Sequence, residues 1–514
     1  MVFAFILVLV YMVFFYKKAG LVADVALLVN VFFLFGVLAC LGSVLTLPGI
    51  AGIVLTLGMA VDSNVIIFER IKEEIKAGKG IKLAIQDGYK NAYSAIIDGN
   101  VTTLITGIIL IILGTGPVHS FAVTLCIGIL TSLFTSIFVS RLIFERMLDK
   151  EREISFSTEW TRNFLQDKHY NFIDLRKTSF IICICFLVVS LGSLAIRGLN
   201  LGIDFKGGRN YVVQFDDPSI KVEQVREALA ESKVTINPQA IHSALEMRED
   251  QEVEGWSTPE VKTYGTNGQV KITTKFLINN DSPAVDSVIQ VILYENLMGL
   301  YNNDLTMSQF SSEDETVGIL STQKVGATIA SDVTRKSIIA IIVALALMFI
   351  YIAIRFKKWQ YGVASIMALT QDTLIVLGMY SLFYNILPFT MEVDQSFIAA
   401  VLTVIGYSIN ATVVIFDRVR ENVNLHPKAS WKDNMNSAVN STLTRSFNTS
   451  GSTLVVLLAI FIFGGDTIRG FIFALLVGVL AGTFSSVFLS SPFAYVLMKG
   501  NKKDQDIEDT PKKK

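Results

Sequence analysis

Long apolar runs constrain this chain more than any motif in it. Eleven are present, at residues 2–16, 20–46, 50–69, 95–114, 119–145, 178–197, 334–355, 361–386, 395–417, 446–464 and 468–498. A helix crossing a membrane needs roughly 20 mostly apolar residues, so the runs are read as transmembrane helices. Composition agrees: 52% of the 514 residues are hydrophobic and 17% charged, against about 25% charged in soluble domains. A net charge of −1, with no long basic tract outside the lysine-rich tail, gives no footing for nucleic acid. Cys40, Cys126, Cys183 and Cys185 all lie inside apolar runs, where cysteine behaves as a small hydrophobe. Neither a disulfide nor a zinc site is expected.

Lysine and arginine in the short connections fix the orientation. They gather at Lys17 and Lys18, from Arg70 to Lys90, from Arg141 to Lys177, at Arg355, Lys357 and Lys358, from Arg418 to Lys432, and from Lys499 onward. The alternating connections 46–50, 114–119 and 386–394 have none. The basic set is expected on the cytoplasmic side, which puts Met1 outside. The first run has neither a basic lead nor a small-residue cleavage site, so a signal peptide is not expected there. An upstream span is therefore expected, missing here or carried on another chain.

The chain repeats itself. Residues 58–74, GMAVDSNVIIFERIKEE, align without gaps on residues 406–422, GYSINATVVIFDRVREN. Gly114, Phe121, Gly128, Ser136 and Ser140 match Gly464, Phe471, Gly478, Ser486 and Ser490 at a constant offset, and Asp24 is paired with Asp372. Repeats of like orientation, related by an axis along the membrane normal, are one plan of transporters. Between them, about 199–325 reads as a soluble segment: strand 209–215, helix 220–232, two or three strands in 234–278, helix 284–300 and a last strand near 310–320. That order is close to a ferredoxin-like unit. The segment has no phosphate loop, no HExxH and no GxSxG, and the histidines at 119, 169, 242 and 426 are scattered. Catalysis is not expected, nor any cofactor or metal.

Several of these segments resemble the bacterial SecD–SecF protein-export family. GLNLGIDFKGG (198–208) is similar to the opening of the SecF external domain, HYNFIDLRK (169–177) to the basic lead-in before its first span, and VGATIASDVTRKSIIAI (325–341) to its return to the membrane. The two repeat motifs resemble the fourth spans of SecD and SecF, and DGNVTT (98–103) and TLTRSFNTS (442–450) their fifth spans. The resemblance implies a mainly α, polytopic membrane protein of two tandem-repeat bundles, RND-like, with about eleven transmembrane helices and one inserted ferredoxin-like α+β external domain. Its expected parts are a SecD-like bundle at 1–146, a cytoplasmic connector at 147–177, a first SecF-like span at 178–198, an external periplasmic domain at 199–325, a SecF-like bundle at 326–498 and a charged tail at 499–514. It also implies an accessory subunit of the Sec translocase in the inner membrane, pulling preprotein outward on the ion gradient. Its partners would be the Sec channel, its motor ATPase, unfolded preprotein and membrane lipid.

The resemblance assigns ion coupling to Asp62, with Arg445 as its partner. On the residues alone, Asp62, Ser63 or Asn64 could instead bond a neighbouring helix, and Arg445, expected to open its helix at the cytoplasmic edge, could reach to the headgroups. Where the family's SecF motif reads Ile-Asn-Asp-Thr, this chain has Ile409-Asn410-Ala411-Thr412, so either Asp62 alone suffices, or Asp98 or Asp372 substitutes, or this copy couples poorly. Asp98 and Arg70 also read as helix-end residues, and Glu69, Asp417 and Arg418 as a solvated or gating salt bridge. Asp204 belongs to the external-domain motif, whose Gly207 and Gly208 read as a tight turn. A lipid-exporting RND protein and a non-transporting membrane scaffold are the rival readings. The first would carry two large external domains; the second would lack Asp62 and Arg445.

Overall fold

The computed structural model describes residues 2–499 apart from 44–45, 153, 159–160, 162–169, 235–237, 246–254, 265–267, 281, 313–315, 385 and 388. Ten helices among the described residues are long and apolar enough to cross a membrane, and Val2–Tyr16 is a shorter apolar helix. In chain order they are α1 (Val2–Tyr16), α2 (Lys18–Cys40), α3 (Leu47–Lys76), α4 (Ile81–Leu113), α5 (Pro117–Asp149), α6 (Arg176–Arg197), α7 (Ala327–Phe356), α8 (Trp359–Phe383), α9 (Gln395–Leu425), α10 (Trp431–Phe463) and α11 (Ile468–Met498). Apolar side chains such as Phe32, Ile184, Val188 and Ile342 stay exposed on α2, α6 and α7, as lipid-facing surfaces require.

Hydropathy underestimated four of these helices. α3, α4, α9 and α10 run several turns past the apolar runs 50–69, 95–114, 395–417 and 446–464 into polar sequence. Those extensions pack on one another at the lysine- and arginine-rich face, and no hydropathy window sees a polar helix end.

The repeat is written in backbone detail. Thr46 caps α3 by accepting from the Gly49 amide at 3.2 Å, and Asp394, its counterpart, caps α9 by accepting from Phe397 at 2.8 Å. Lys17 and Lys357, each ending the first helix of its bundle, both adopt φ near +55° (52° and 56°). π-helical turns break α5 at Thr135–Val139 and α11 at Ser486–Ser490. The bundles interlock: α10 packs on α3 and α1, and α4 packs on α9 and α7. Small residues allow the close approach. A Cβ on Gly406 would lie 2.6 Å from Thr106 Oγ1, and one on the equivalent Gly58 would touch Thr453 at 3.5 Å.

The inserted segment forms an antiparallel sheet in the order β2-β3-β1-β4, from β1 (Gly208–Gln214), β2 (Glu260–Thr263), β3 (Gln269–Thr274) and β4 (Gly318–Val325). The order and the helices Val222–Ala228 and Ala284–Leu297 make the ferredoxin-like arrangement. Its own core centres on Tyr211, Val213, Ile272, Ile289, Leu293 and Phe310. Two expectations are corrected. Residues 238–245, placed among strands, form a helix, whose Ile241 and Leu245 fit a helical face. The last strand is 318–325 rather than 310–320, because Met307–Phe310 closes a capped helical turn on Thr306. Parts of 234–278, His169 of the lead-in motif and the tail beyond 499 lie outside the described residues.

The domain is moored to the bundle. Leu201 and Val393 form a parallel bridge, and Lys271 Nζ and Lys262 Nζ reach Glu392 at 2.6 and 3.3 Å.

Candidate functional site

Asp62 lies 15 residues into α3, so at 1.5 Å per residue it sits about 22 Å from the capped end, deep within the membrane. Its side chain is buried at 5% exposure. Both oxygens are held from the other repeat: Asn410 Nδ2 of α9 donates to Oδ2 at 2.8 Å, and Thr449 Oγ1 of α10 donates to Oδ1 at 2.6 Å. Glycine makes room for the first contact, since a Cβ on Gly99 would stand 2.0 Å from Asn410 Oδ1.

A cavity of about 20 Å³, room for roughly one water, adjoins the carboxylate and is lined by Tyr407, Ala411, Arg445 and Ser450 among others. A much larger cavity of about 590 Å³ opens at the basic face. Val414 and Arg445 line both. The order along the membrane normal is therefore basic-face vestibule, Arg445, Asp62, then Tyr407, whose hydroxyl donates to Thr453 at 3.3 Å. Arg445 is 14 residues inside α10 rather than at the opening of its helix. It shares a cavity with Asp62, but among the described residues no ion pair within 4 Å joins the two.

Asp98 is not a helix-end residue either; it lies well inside α4 and its charge is matched. Arg355 Nε donates to both its oxygens at 2.7 and 2.8 Å, and Tyr351 adds a bond at 3.0 Å. Asp372 is fully buried on α8 with Ser408 and Ser485, away from the Asp62 cavity. Asn64 turns back to the Ala60 carbonyl at 3.3 Å and does not reach Asp62.

At the floor of the vestibule the repeats exchange charges. Arg70 Nη2 meets Glu421 at 2.5 Å, and its counterpart Arg418 meets Glu73 at 2.9 Å; each arginine also holds the glutamate three residues on in its own helix. Glu73 and Glu421 escaped the sequence reading, although both lie within the aligned motifs at matching positions. Glu69 binds Lys72 at 2.8 Å and the Tyr16 hydroxyl at 2.9 Å, while Asp417 binds Arg420. On the opposite face Asp204 accepts from the Gln395 amide at 3.0 Å, tying the domain motif to the start of α9. Gly207 and Gly208 have φ of +70° and +137°, and a Cβ on Gly207 would press on Ile278 at 2.6 Å.

The family description "Protein export membrane protein SecD/SecF, C-terminal" matches residues 1–150 and 306–500, and the "SecD/SecF GG Motif" matches 192–219. The chain belongs to the SecD/SecF family. Among the relatives of this SecD/SecF chain, it is 32% identical to the protein translocase subunit SecDF of Brucella abortus biovar 1 (strain 9-941) over 94% of its length and 57% of that protein's. It is 36% identical to the protein translocase subunit SecF of Rhodothermus marinus over 64% of its length and 92% of that protein's. It superposes on the crystal structure of SecDF, a translocon-associated membrane protein, from Thermus thermophilus. That match has a TM-score of 0.79 at 31% identity, and covers 97% of this chain and 62% of that one. The chain thus spans about six tenths of the SecDF relatives it matches. It is a multi-pass membrane protein of the fused SecDF type.

Proposed function

We propose that this chain is the membrane-embedded driving part of an accessory Sec translocase subunit, with Asp62 as the group that couples an ion gradient to movement of the two repeats. The observation that carries the reading is the position of Asp62, a carboxylate at mid-depth whose side-chain hydrogen bonds, among the described residues, come from the opposite repeat. A change in its charge alters bonds to α9 and α10 together, and so the fit of one bundle on the other. One charge crossing 100 mV releases about 2.3 kcal/mol, on the scale of a two-state bias of a few kcal/mol. Arg445, lining both cavities, is the group an ion passes between vestibule and Asp62.

In this reading the basic face is cytoplasmic and the membrane is the bacterial inner membrane. The sheet domain, 199–325, stands in the periplasm between a SecD-like bundle ending near 146 and a SecF-like bundle beginning near 326. The partners are the Sec channel, its motor ATPase and unfolded preprotein, and no covalent chemistry takes place. Support comes from the family membership and from the bias of lysine and arginine to one face.

The test is secretion of a reporter precursor in cells depleted of their own export component, with and without an uncoupler. Asp62→Asn keeps the shape and one acceptor but exchanges no proton, and should abolish the uncoupler-sensitive part while leaving insertion intact. Full, uncoupler-sensitive activity of this variant would reject Asp62 as the coupling group.

A further inference from the structure

We propose that Asp372 is a second proton-binding carboxyl of this protein, occluded in the present conformation and linked to Asp62 through α9. The residue lies 13 positions into α8, about 20 Å from its basic-face end, and is 1% exposed. Ser408 Oγ of α9 and Ser485 Oγ of α11 both donate to Oδ2, at 2.5 and 2.8 Å. Oδ1 is equally buried and, among the described residues, has no hydrogen-bond partner. Asp62 and Asp98 differ in this respect, since each has both oxygens bonded.

An ionised carboxylate shares its charge over two oxygens, and leaving one of them bare in a low-dielectric interior is costly. Among the described residues no cation is bonded to it. On α6, Cys183 packs against Ala368 of α8 and carries no positive charge; on α8 itself, Tyr380 donates to the Gly470 carbonyl and Tyr361 packs on Phe416. On α7, Tyr351 and Arg355 are engaged with Asp98. On α9, Tyr407 bonds Thr453, and Asp417, Arg418 and Arg420 lie in the ion network at the basic end. Arg469 begins α11 at the opposite face, and Tyr495 lies near its far end, under Arg176. Binding a proton removes that buried charge.

The link to Asp62 is geometric. Ser408 and Asn410 are two residues apart on α9, which at 3.6 residues per turn puts them on opposite sides of the helix. One side of α9 holds Asp372 and the other holds Asp62. α11 crosses α9 closely here, since a Cβ on Gly482 would lie 2.8 Å from the Ser408 Cβ. A shift of α9 that changes the Asp62 contacts therefore also makes or breaks the Ser408 contact to Asp372, and the proton enters or leaves only when that contact is open.

Infrared difference spectroscopy on the purified, lipid-reconstituted chain tests the protonation directly. Wild type minus Asp372→Asn should show loss of a protonated-carboxyl C=O band at neutral pH, distinct from any band lost in Asp62→Asn. Loss of ionised-carboxylate bands instead overturns the proposal. If Asp372→Asn does not fold, Ser485→Ala should shift the same C=O band by removing one donor, and an unmoved spectrum overturns it. The exchange itself rests on the ion-driven reading above and is separable from it. In the secretion assay, Asp372→Asn should lower uncoupler-sensitive export several-fold. Wild-type export with an unchanged pH profile refutes the exchange at Asp372 and leaves Asp62 standing. A fully active, uncoupler-sensitive Asp62→Asn instead removes the ion-driven reading itself.

Discussion

Asn410 occupies in the second repeat the position that Asp62 occupies in the first, and its amide donates to the Asp62 carboxylate across the interface at 2.8 Å. The site is thus built on the pseudo-symmetry axis, from one position used twice with different chemistry: an acid in one copy and a neutral donor in the other. Ala411, which stands where the family's SecF motif has its acid, lines the same small cavity. Among the described residues, Asp62 is the only acid lining that cavity.

The Asp98–Arg355 pair should behave as a structural clamp between α4 and α7. Arg355→Ala strands a buried carboxylate and should cost about 3–5 kcal/mol. Adding Asp98→Asn should recover most of that loss, because the uncompensated charge is removed. Thermal unfolding in detergent of the single and double variants measures it. A double variant no more stable than Arg355→Ala would contradict the pairing.

Gly99→Ala should be destabilising although alanine favours helices, since the new methyl meets Asn410 Oδ1 at 2.0 Å. Overpacking of this kind costs about 1–3 kcal/mol, and it should also displace Asn410 from Asp62. Gly36→Ala, with nothing within 4 Å of the added carbon, is the control and should be neutral or stabilising. Equal melting temperatures for the two variants would count against the tight α4–α9 contact.

The crossed ion network predicts coupling between residues far apart in sequence. A double-mutant cycle on Glu73→Gln and Arg418→Gln should give an interaction energy of about 1 kcal/mol, modest because the pair is partly exposed. Arg70 and Glu421 should give a similar value by symmetry. Additive effects in both cycles would show that the network is not formed in the membrane.

The mooring of the sheet domain should resist acid. Burial pushes the Glu392 carboxyl up, but Lys271 and Lys262 beside it outweigh that and hold it below the usual glutamate range. For an acid lowered by folding, the stabilisation is complete above the unfolded value, about 4.3. It is lost only as pH falls through the lower folded value. Exchange protection of the Gly202 and Val393 amides, corrected for intrinsic rates, should not fall from pH 8 to 5 and should fall in stronger acid. Glu392→Gln should lower it throughout that range. Protection that already falls between pH 7 and 5 in wild type would show that this pair does not carry the mooring.

The sequence by itself determined the membrane class, the repeat and the acid at the centre. Long apolar runs have one stable solution in lipid, and a gapless match such as GMAVDSNVIIFERIKEE on GYSINATVVIFDRVREN must fold twice alike. Turn chemistry at Gly207 and Gly208 was also legible, because positive φ is a local property. What α3, α9 and α10 do at their polar ends was not, since hydropathy falls silent where a helix packs through side-chain hydrogen bonds and ion pairs. Only the tertiary structure decided which partner each buried acid has. Asp98 and Arg355 are 257 residues apart, Asp62 and Asn410 348. Periodicity gives the face a side chain occupies on its own helix, but the partner on that face depends on how the two bundles interlock. Packing therefore separated three acids that look alike in sequence: Asp98 neutralised by arginine, Asp62 held by neutral donors beside a cavity, and Asp372 sealed with one oxygen bare.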